Sequence, residues 1–178
     1  METRVLAVCV GLIERVPYRG RQMRTGIFKR PVEGRVHIGR LGLAGDHQAD
    51  PRYHGGPRRA VYAYPSEHYS FWRGVYPDVA FGHGGFGENL ATAGWMEDAV
   101  REGDVYRVGT ALLKVTEPRT PCIKLGVKFG RTGIVAKFRE SRRTGFYLAV
   151  REEGFVEAGD AITLVDRDPG ARSVAGME

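Results

Sequence analysis

Ala111-Leu112-Leu113-Lys114-Val115-Thr116 leads, one residue later, into Pro118-Arg119-Thr120-Pro121-Cys122-Ile123-Lys124-Leu125. The first run is apolar and strand-like, so the second marks where a strand hands over to another element. Thr120 suits a helix N-cap and Pro121 the first helical position, where a missing N–H costs nothing. That predicts a helix with Cys122 in its first turn, where free N–H groups and the helix dipole favour an anion. Arg119 and Lys124 add positive charge on either side, so Cys122 reads as a low-pKa thiol and a soft-metal ligand. Against this, Ile123, Leu125, Val127 and Phe129 alternate at strand spacing, and a lone cysteine after a turn can equally be a small buried residue.

Outward from this stretch, 25 glycines and 9 prolines cut the chain into short, mostly β-like segments. Residues 5–13 read as a buried strand, and 25–29 with 35–38 as a hairpin around Pro31-Val32-Glu33-Gly34. Residues 39–57 are dense in Gly, Asp, His and Arg and read as an ordered loop, followed by a strand over 60–64. A helix is predicted from Pro65 onward, with Tyr69, Trp72 and Tyr76 at three- and four-residue spacing. Glu102-Gly103-Asp104 and Ala158-Gly159-Asp160 each feed a strand, residues 132–141 a helix, and 146–150 another strand. The composition after Val165 predicts a loose tail. The expected organisation is one domain over residues 1–165 and a tail over 166–178. It is mainly β with a few short helices, in the manner of a twisted barrel.

Composition narrows the partners. A net charge of +6 and a pI near 9.5 favour anionic ligands. The basic residues are dispersed, which argues against a nucleic-acid arm. Residues 5–13 are too few to span a bilayer and lack a cleavage signal, so the expected location is the cytoplasm, with no membrane partner. The two cysteines, Cys9 and Cys122, are too few for a disulfide framework, a structural zinc site or an iron–sulfur set.

Several smaller constellations carry chemistry. Asp46-His47 and His54-Gly55-Gly56 are either a site with close backbone approach or a polar loop bonded to itself. Gly82-His83-Gly84-Gly85-Phe86-Gly87 has the composition of a phosphate cradle without the Lys-Ser/Thr of a P-loop. It opens onto Glu88 and Asn89, which offer a carboxylate and an amide. Arg24-Thr25-Gly26 is a cation, a hydroxyl and an exposed backbone, and Ser66 is either a ligand contact or a helix cap.

Taken together, and in order, these residues resemble the YiiM-like branch of the MOSC-domain family, named for the C-terminal domain of molybdenum-cofactor sulfurases. The resemblance rests on Thr25-Gly26-Ile27-Phe28-Lys29, Gly42-Leu43-Ala44-Gly45-Asp46, Gln48-Ala49-Asp50 and His54-Gly55-Gly56-Pro57. It continues through Ala60-Val61-Tyr62-Ala63-Tyr64-Pro65, Phe86-Gly87-Glu88-Asn89-Leu90 and Arg119-Thr120-Pro121-Cys122-Ile123-Lys124-Leu125-Gly126. It implies a MOSC-type β-barrel that binds the molybdenum cofactor (molybdopterin), with the Cys122 thiolate as molybdenum ligand. It implies Asn89 beside Cys122, with Arg24, Thr25 and Ser66 near the pterin phosphate. Arg119 and Lys124 are further contacts, and His54 lines the pocket. The implied activity is reduction of small N-hydroxylated compounds, hydroxylamino base analogues and amidoximes among them, with electrons from an external electron-transfer protein. A non-catalytic carrier of the cofactor, or of sulfur as a persulfide, would need the same residues. No pyridoxal phosphate is expected, no lysine having a pyridoxal-site context, and the chain is expected to be a monomer or homodimer. A cysteine hydrolase built on Cys122, His54 and Asp46 is a third reading of the same residue types.

Overall fold

The apolar run ahead of the cysteine is a strand, β10 (Ala111–Pro118), in which Ala111, Leu113 and Val115 are buried and Leu112 and Lys114 are half-exposed. This period of two places one face of the strand against a core. The computed structural model describes residues 2–50 and 55–177. On either side of β10 lie β9 (Val105–Val108) and β11 (Phe146–Glu152), both antiparallel to it. The sheet continues through β7 (Val61–Pro65), β8 (Leu90–Ala93), β1 (Arg4–Val10) and β4 (Arg30–Val32) on one side, and ends in β13 (Ile162–Asp166) on the other. Its β7–β8 pair is parallel. A smaller sheet joins β12 (Gly154–Val156), β5 (Val36–Gly39) and β6 (Gly42–Leu43), and β2 (Glu14–Tyr18) with β3 (Arg21–Thr25) makes a separate hairpin.

The fold is mainly β with three helices, as expected, but among the described residues no sheet closes into a barrel. The eight-stranded sheet curls until the turn before β13 meets the start of β1. There Arg4 and Ala161 form an isolated bridge, and Val5 N–H donates to the Asp160 carbonyl at 2.9 Å. Beyond Val5 the outer side of β1 is taken by β4, paired over Val8–Val32 to Val10–Arg30, so a continuous ladder has no room to form. The expected hairpin over 25–38 is also replaced. β4 and β5 belong to different sheets, because Pro31 lacks an N–H and Gly34, at φ 75°, turns the chain away.

Three helices cover one side: α1 (His68–Val75), α2 (Ile123–Phe129) and α3 (Gly133–Ser141). In α2 helical geometry prevails over the alternation seen in sequence. Leu125 and Phe129, four apart, face the core and Ile123 is 46% exposed. The buried side chains fall into two main clusters. One is mostly aliphatic, under the large sheet, and includes Val5, Val8, Leu90, Leu113, Val115 and Leu148. The other is mostly aromatic, under the helices, and includes Tyr62, Tyr64, Tyr69, Trp72, Phe86 and Phe138. Residues 167–177, read from composition as loose, run back across the domain. Arg167 pairs with buried Asp104, Arg101 bridges Ser173, and Val174 is fully buried against the aliphatic cluster. No helix among the described residues is long and apolar enough to cross a membrane.

Candidate functional site

Cys122 sits where β10 and α2 meet, but two positions earlier in the helix than expected. It is itself the N-cap, with extended backbone (φ −127°, ψ 175°), and its carbonyl accepts the Leu125 N–H at 3.0 Å. Thr120 is exposed and caps nothing, because the chain stays extended through Pro121. The half-buried thiol lines a pocket together with Arg119 and Lys124. The facing wall comes from Thr25 at the end of β3, from Gly26, Ile27 and Lys29 beyond it, and from His47, Gln48 and Ala49. Arg59, Tyr62, Gly87, Asn89 and Tyr147 complete it.

Two glycines let the walls approach. A Cβ on Gly26 would lie 2.1 Å from the His47 carbonyl oxygen. Gly87 has φ 80°, and a Cβ there would lie 2.9 Å from the Ile27 side chain. Both glycines let neighbouring segments of the pocket wall pack closely, where a side chain would collide with His47 or Ile27.

The described lining holds four Lys/Arg cations and no Asp or Glu. Each cation except Lys124 is fixed. Arg59 makes two bonds to the Glu117 carboxylate, at 3.2 and 3.0 Å, and lies over the Tyr147 ring. Arg119, 7% exposed, donates to Tyr62 Oη at 3.3 Å and to the Phe86 carbonyl, and its guanidinium lies over the Tyr62 and Phe138 rings. Lys29 is paired with buried Asp46; burial holds its ammonium below the usual lysine range, and the Asp46 carboxylate opposes that shift. Lys124 has no side-chain partner among the described residues. Such a ring favours an anion or a ligand with anionic oxygens.

Behind this wall, Asn89 is 3% exposed and its amide is fully engaged. Oδ1 accepts the Tyr62 N–H at 3.1 Å, while Nδ2 donates to the Cys9 carbonyl at 3.3 Å and to Asp46 Oδ2 at 2.9 Å. Asp46 also accepts the Gly11 N–H at 2.9 Å. Lys128 acts similarly from α2, donating to the carbonyls of Ile27 (3.0 Å) and Gly84 (2.6 Å), and burial brings its pKa down to about 8. The glycine cluster is no empty cradle. It is wrapped around the Glu88 carboxylate, which accepts from the N–H groups of Gly84 (2.7 Å) and Phe86 (2.9 Å) and from the Tyr69 hydroxyl. The second thiol, Cys9, is fully buried, and burial, reinforced by Glu88, pushes it up to about 12.

Of the residues singled out from sequence, the structure brings Thr25, Asn89, Arg119, Cys122 and Lys124 to one pocket. It does not bring Arg24 or Ser66 there. Arg24 points from the exposed β2–β3 hairpin, opposite Arg15, because neighbouring Thr25 takes the inward position. Ser66 follows the far end of β7, where its N–H donates to the Thr92 carbonyl. His54 lies outside the described residues. Lys29, Arg59 and Tyr147 escaped sequence reasoning; Lys29 is set in place by a tight turn in which its N–H donates to the Ile27 carbonyl at 3.0 Å.

A curled, mainly antiparallel sheet flanked by three helices, with one cysteine pocket ringed by cations, defines the class: the chain belongs to the MOSC domain family, whose model matches residues 50–163. Its relatives are more particular. It is 42% identical over 163 residues to YflK of Bacillus subtilis, covering 92% of this chain and 73% of that one. To the protein YiiM of Escherichia coli it is 40% identical over 145 residues, 80% of this chain and 65% of that one. A protein of Gibberella moniliformis named "Reductase" is 34% identical over 151 residues, 83% of this chain but 27% of that one. The crystal structure of YiiM from Geobacillus stearothermophilus superimposes with a TM-score of 0.79 at 35% identity, over 97% of this chain and 80% of that one. That of YiiM from Escherichia coli gives 0.76 at 31% identity, over 99% and 75%.

Proposed function

We propose that this chain is a molybdenum-cofactor-dependent reductase of small N-hydroxylated compounds, with the Cys122 thiolate as its molybdenum ligand. The carrying observation is the donor set: one half-exposed sulfur in a pocket walled by Lys29, Arg59, Arg119 and Lys124. No cluster of three or more His, Cys, Asp or Glu among the described residues could hold a metal by itself, so a metal here would come with ligands of its own. A pterin dithiolene bearing a phosphate fits that requirement. The sulfur is a soft ligand and the cations match the phosphate. When bound, the cofactor supplies two-electron oxygen-atom transfer.

The chain's own residues do the rest. Cys122 would hold the metal; Thr25, with its hydroxyl bonded to the Ile27 N–H at 3.2 Å, shapes the backbone of the facing wall. Lys124 is the cation available to close on an anionic group, and Lys29, paired with Asp46, adds positive charge to the wall. Arg119 keeps the Cys122 loop fixed to Tyr62 and Phe86.

The test is metal and pterin content of protein made in a host that synthesises the cofactor and in one that does not. Near-stoichiometric molybdenum and pterin from the first host alone, lost in Cys122→Ser, with reduction of an amidoxime by reduced viologen, is the expected result. Metal and pterin absent after reconstitution would sink the proposal. Cofactor binding without any turnover would leave a carrier.

A further inference from the structure

Successive residues of the loop that carries the cysteine line two different cavities. Cys122 and Lys124 line the pocket, Thr120 and Pro121 line a groove on the loop's other side, and Arg119 lines both. The loop therefore lies between the two cavities, with Pro121 in the groove bonded directly to Cys122 in the pocket. The rest of the groove comes from the C-terminal end of α3, Arg139, Glu140 and Arg142, with Thr144 and Met177. Its one carboxylate, Glu140, is 3.7 Å from the Lys137 ammonium, which offsets its charge. The exposed guanidinium groups of Arg139 and Arg142 have no side-chain partner among the described residues.

The backbone at Arg142 is informative as well. It caps α3 in the left-handed conformation, φ 52°, ψ 22°, which glycine fills with less strain than any side chain. An arginine is held there against its backbone preference, with its charge at the rim of the groove. Backbone of this kind clusters at functional sites, and among the described non-glycine residues only Arg19, in the β2–β3 turn, shares it.

We infer that this groove docks a small acidic electron-transfer protein that delivers electrons through the Pro121–Cys122 partition to the pocket. The inference rests on the reductase reading, which requires an outside donor. The balance is R–NHOH + 2 e⁻ + 2 H⁺ → R–NH₂ + H₂O. The N–O bond breaks, nitrogen is reduced, oxygen leaves as water, and two one-electron iron–sulfur donors are each oxidised once. Docking behind the loop leaves the pocket mouth to the substrate, and cations without carboxylate partners steer an acidic partner from a distance.

The experiment titrates the protein with an acidic plant-type [2Fe–2S] ferredoxin at about 20 and about 200 mM salt, where screening differs strongly. Turnover is then followed with either ferredoxin or reduced viologen as donor. Arg139→Glu with Arg142→Glu should weaken ferredoxin binding at low salt by about tenfold or more and flatten its salt dependence. Arg107→Glu, a charge reversal of the same kind on β9, should alter binding less than about twofold. Arg142→Gly relieves the left-handed backbone, so it should melt higher than wild type and yet bind ferredoxin more weakly. Ferredoxin-driven turnover should fall with binding while viologen-driven turnover stays at the wild-type rate. Absence of ferredoxin binding by wild type, or equal binding by the double variant, would overturn the docking surface. Absence of viologen-driven turnover in wild type would overturn the reductase reading instead, and the donor role with it.

Discussion

The two buried clusters differ in what they can hold. The aliphatic one packs Val, Leu and Ile side chains under the large sheet, and most of these carry no donor or acceptor. The aromatic one is laced with polar tips. Trp72 Nε1 donates to Tyr64 Oη at 2.7 Å, Tyr64 Oη to the Arg143 carbonyl at 3.1 Å, and Tyr62 Oη to the Thr144 carbonyl at 2.6 Å. Aromatic faces and phenol oxygens let this cluster accept a buried guanidinium, which an aliphatic core would reject. Arg119 is that guanidinium, and the cysteine loop hangs from it. The pocket therefore belongs to the polar, aromatic half of the interior, and the sheet's aliphatic half serves as its support.

Four substitutions can break or sharpen this contrast. The largest effect is expected for Phe86→Ala. Its ring meets those of Tyr64, Trp72, Phe81, Phe129 and Phe138, and its carbonyl holds Arg119. Truncation should cost about 3–5 kcal/mol in urea unfolding. It should also open the pocket, seen as faster alkylation of Cys122 in protein that is still folded. Leu113→Ala, in the fully buried aliphatic cluster, should cost about 3 kcal/mol while leaving Cys122 alkylation at the wild-type rate. Equal changes in Cys122 reactivity in both variants would dissolve the distinction. Asn89→Leu, at the seam, should cost about 2 kcal/mol by leaving the Tyr62 N–H and an Asp46 oxygen unpaired. Its signature is loss of amide-exchange protection at Tyr62.

The smallest effect is a pH dependence carried by Lys128, whose ammonium is lowered by burial from 10.5 to about 8. Between these values the unfolded chain binds more protons than the folded one, so this group's contribution to stability rises with pH. Relative to Lys128→Met, wild type should gain ~1 kcal/mol between pH 8 and 9. A difference that stays flat over that interval would show that Lys128 titrates normally.

The strands near 5–10, 36–39, 61–65, 105–108, 111–118, 146–152 and 162–166 and the helix at 133–141 were legible because each is a local matter of period and punctuation. So was the family, from short motifs in a fixed order. The β2–β3 hairpin, β4 and β8 gave no such signal. Less legible was anything decided by which edge meets which. Barrel closure was expected, but β4 occupies the outer side of β1 that closure would need, and nothing in residues 30–32 announces that pairing. The pocket was half visible. Thr25, Arg119, Cys122 and Lys124 stood out by charge or position, while Arg59 and Tyr147 come from strands and turns that give no local sign of meeting. Asn89 was noticed for its amide, but that the amide is engaged by Tyr62, Cys9 and Asp46 follows only from three distant segments converging. Arg24 illustrates the reverse error: a suitable cation beside a suitable hydroxyl, facing the other way on a two-stranded ribbon.

The Lys29–Asp46–Asn89 junction also limits how the chain can diverge. Asp46 accepts from Lys29, from Asn89 and from the Gly11 N–H, so any single replacement strands a buried charge or donor. Their effects will be far from additive, and the three positions should drift only in concert. Lineages that have lost the lysine should have lost the aspartate too. At this junction inheritance acts on a triplet, whereas at Arg24 it acts on a single residue.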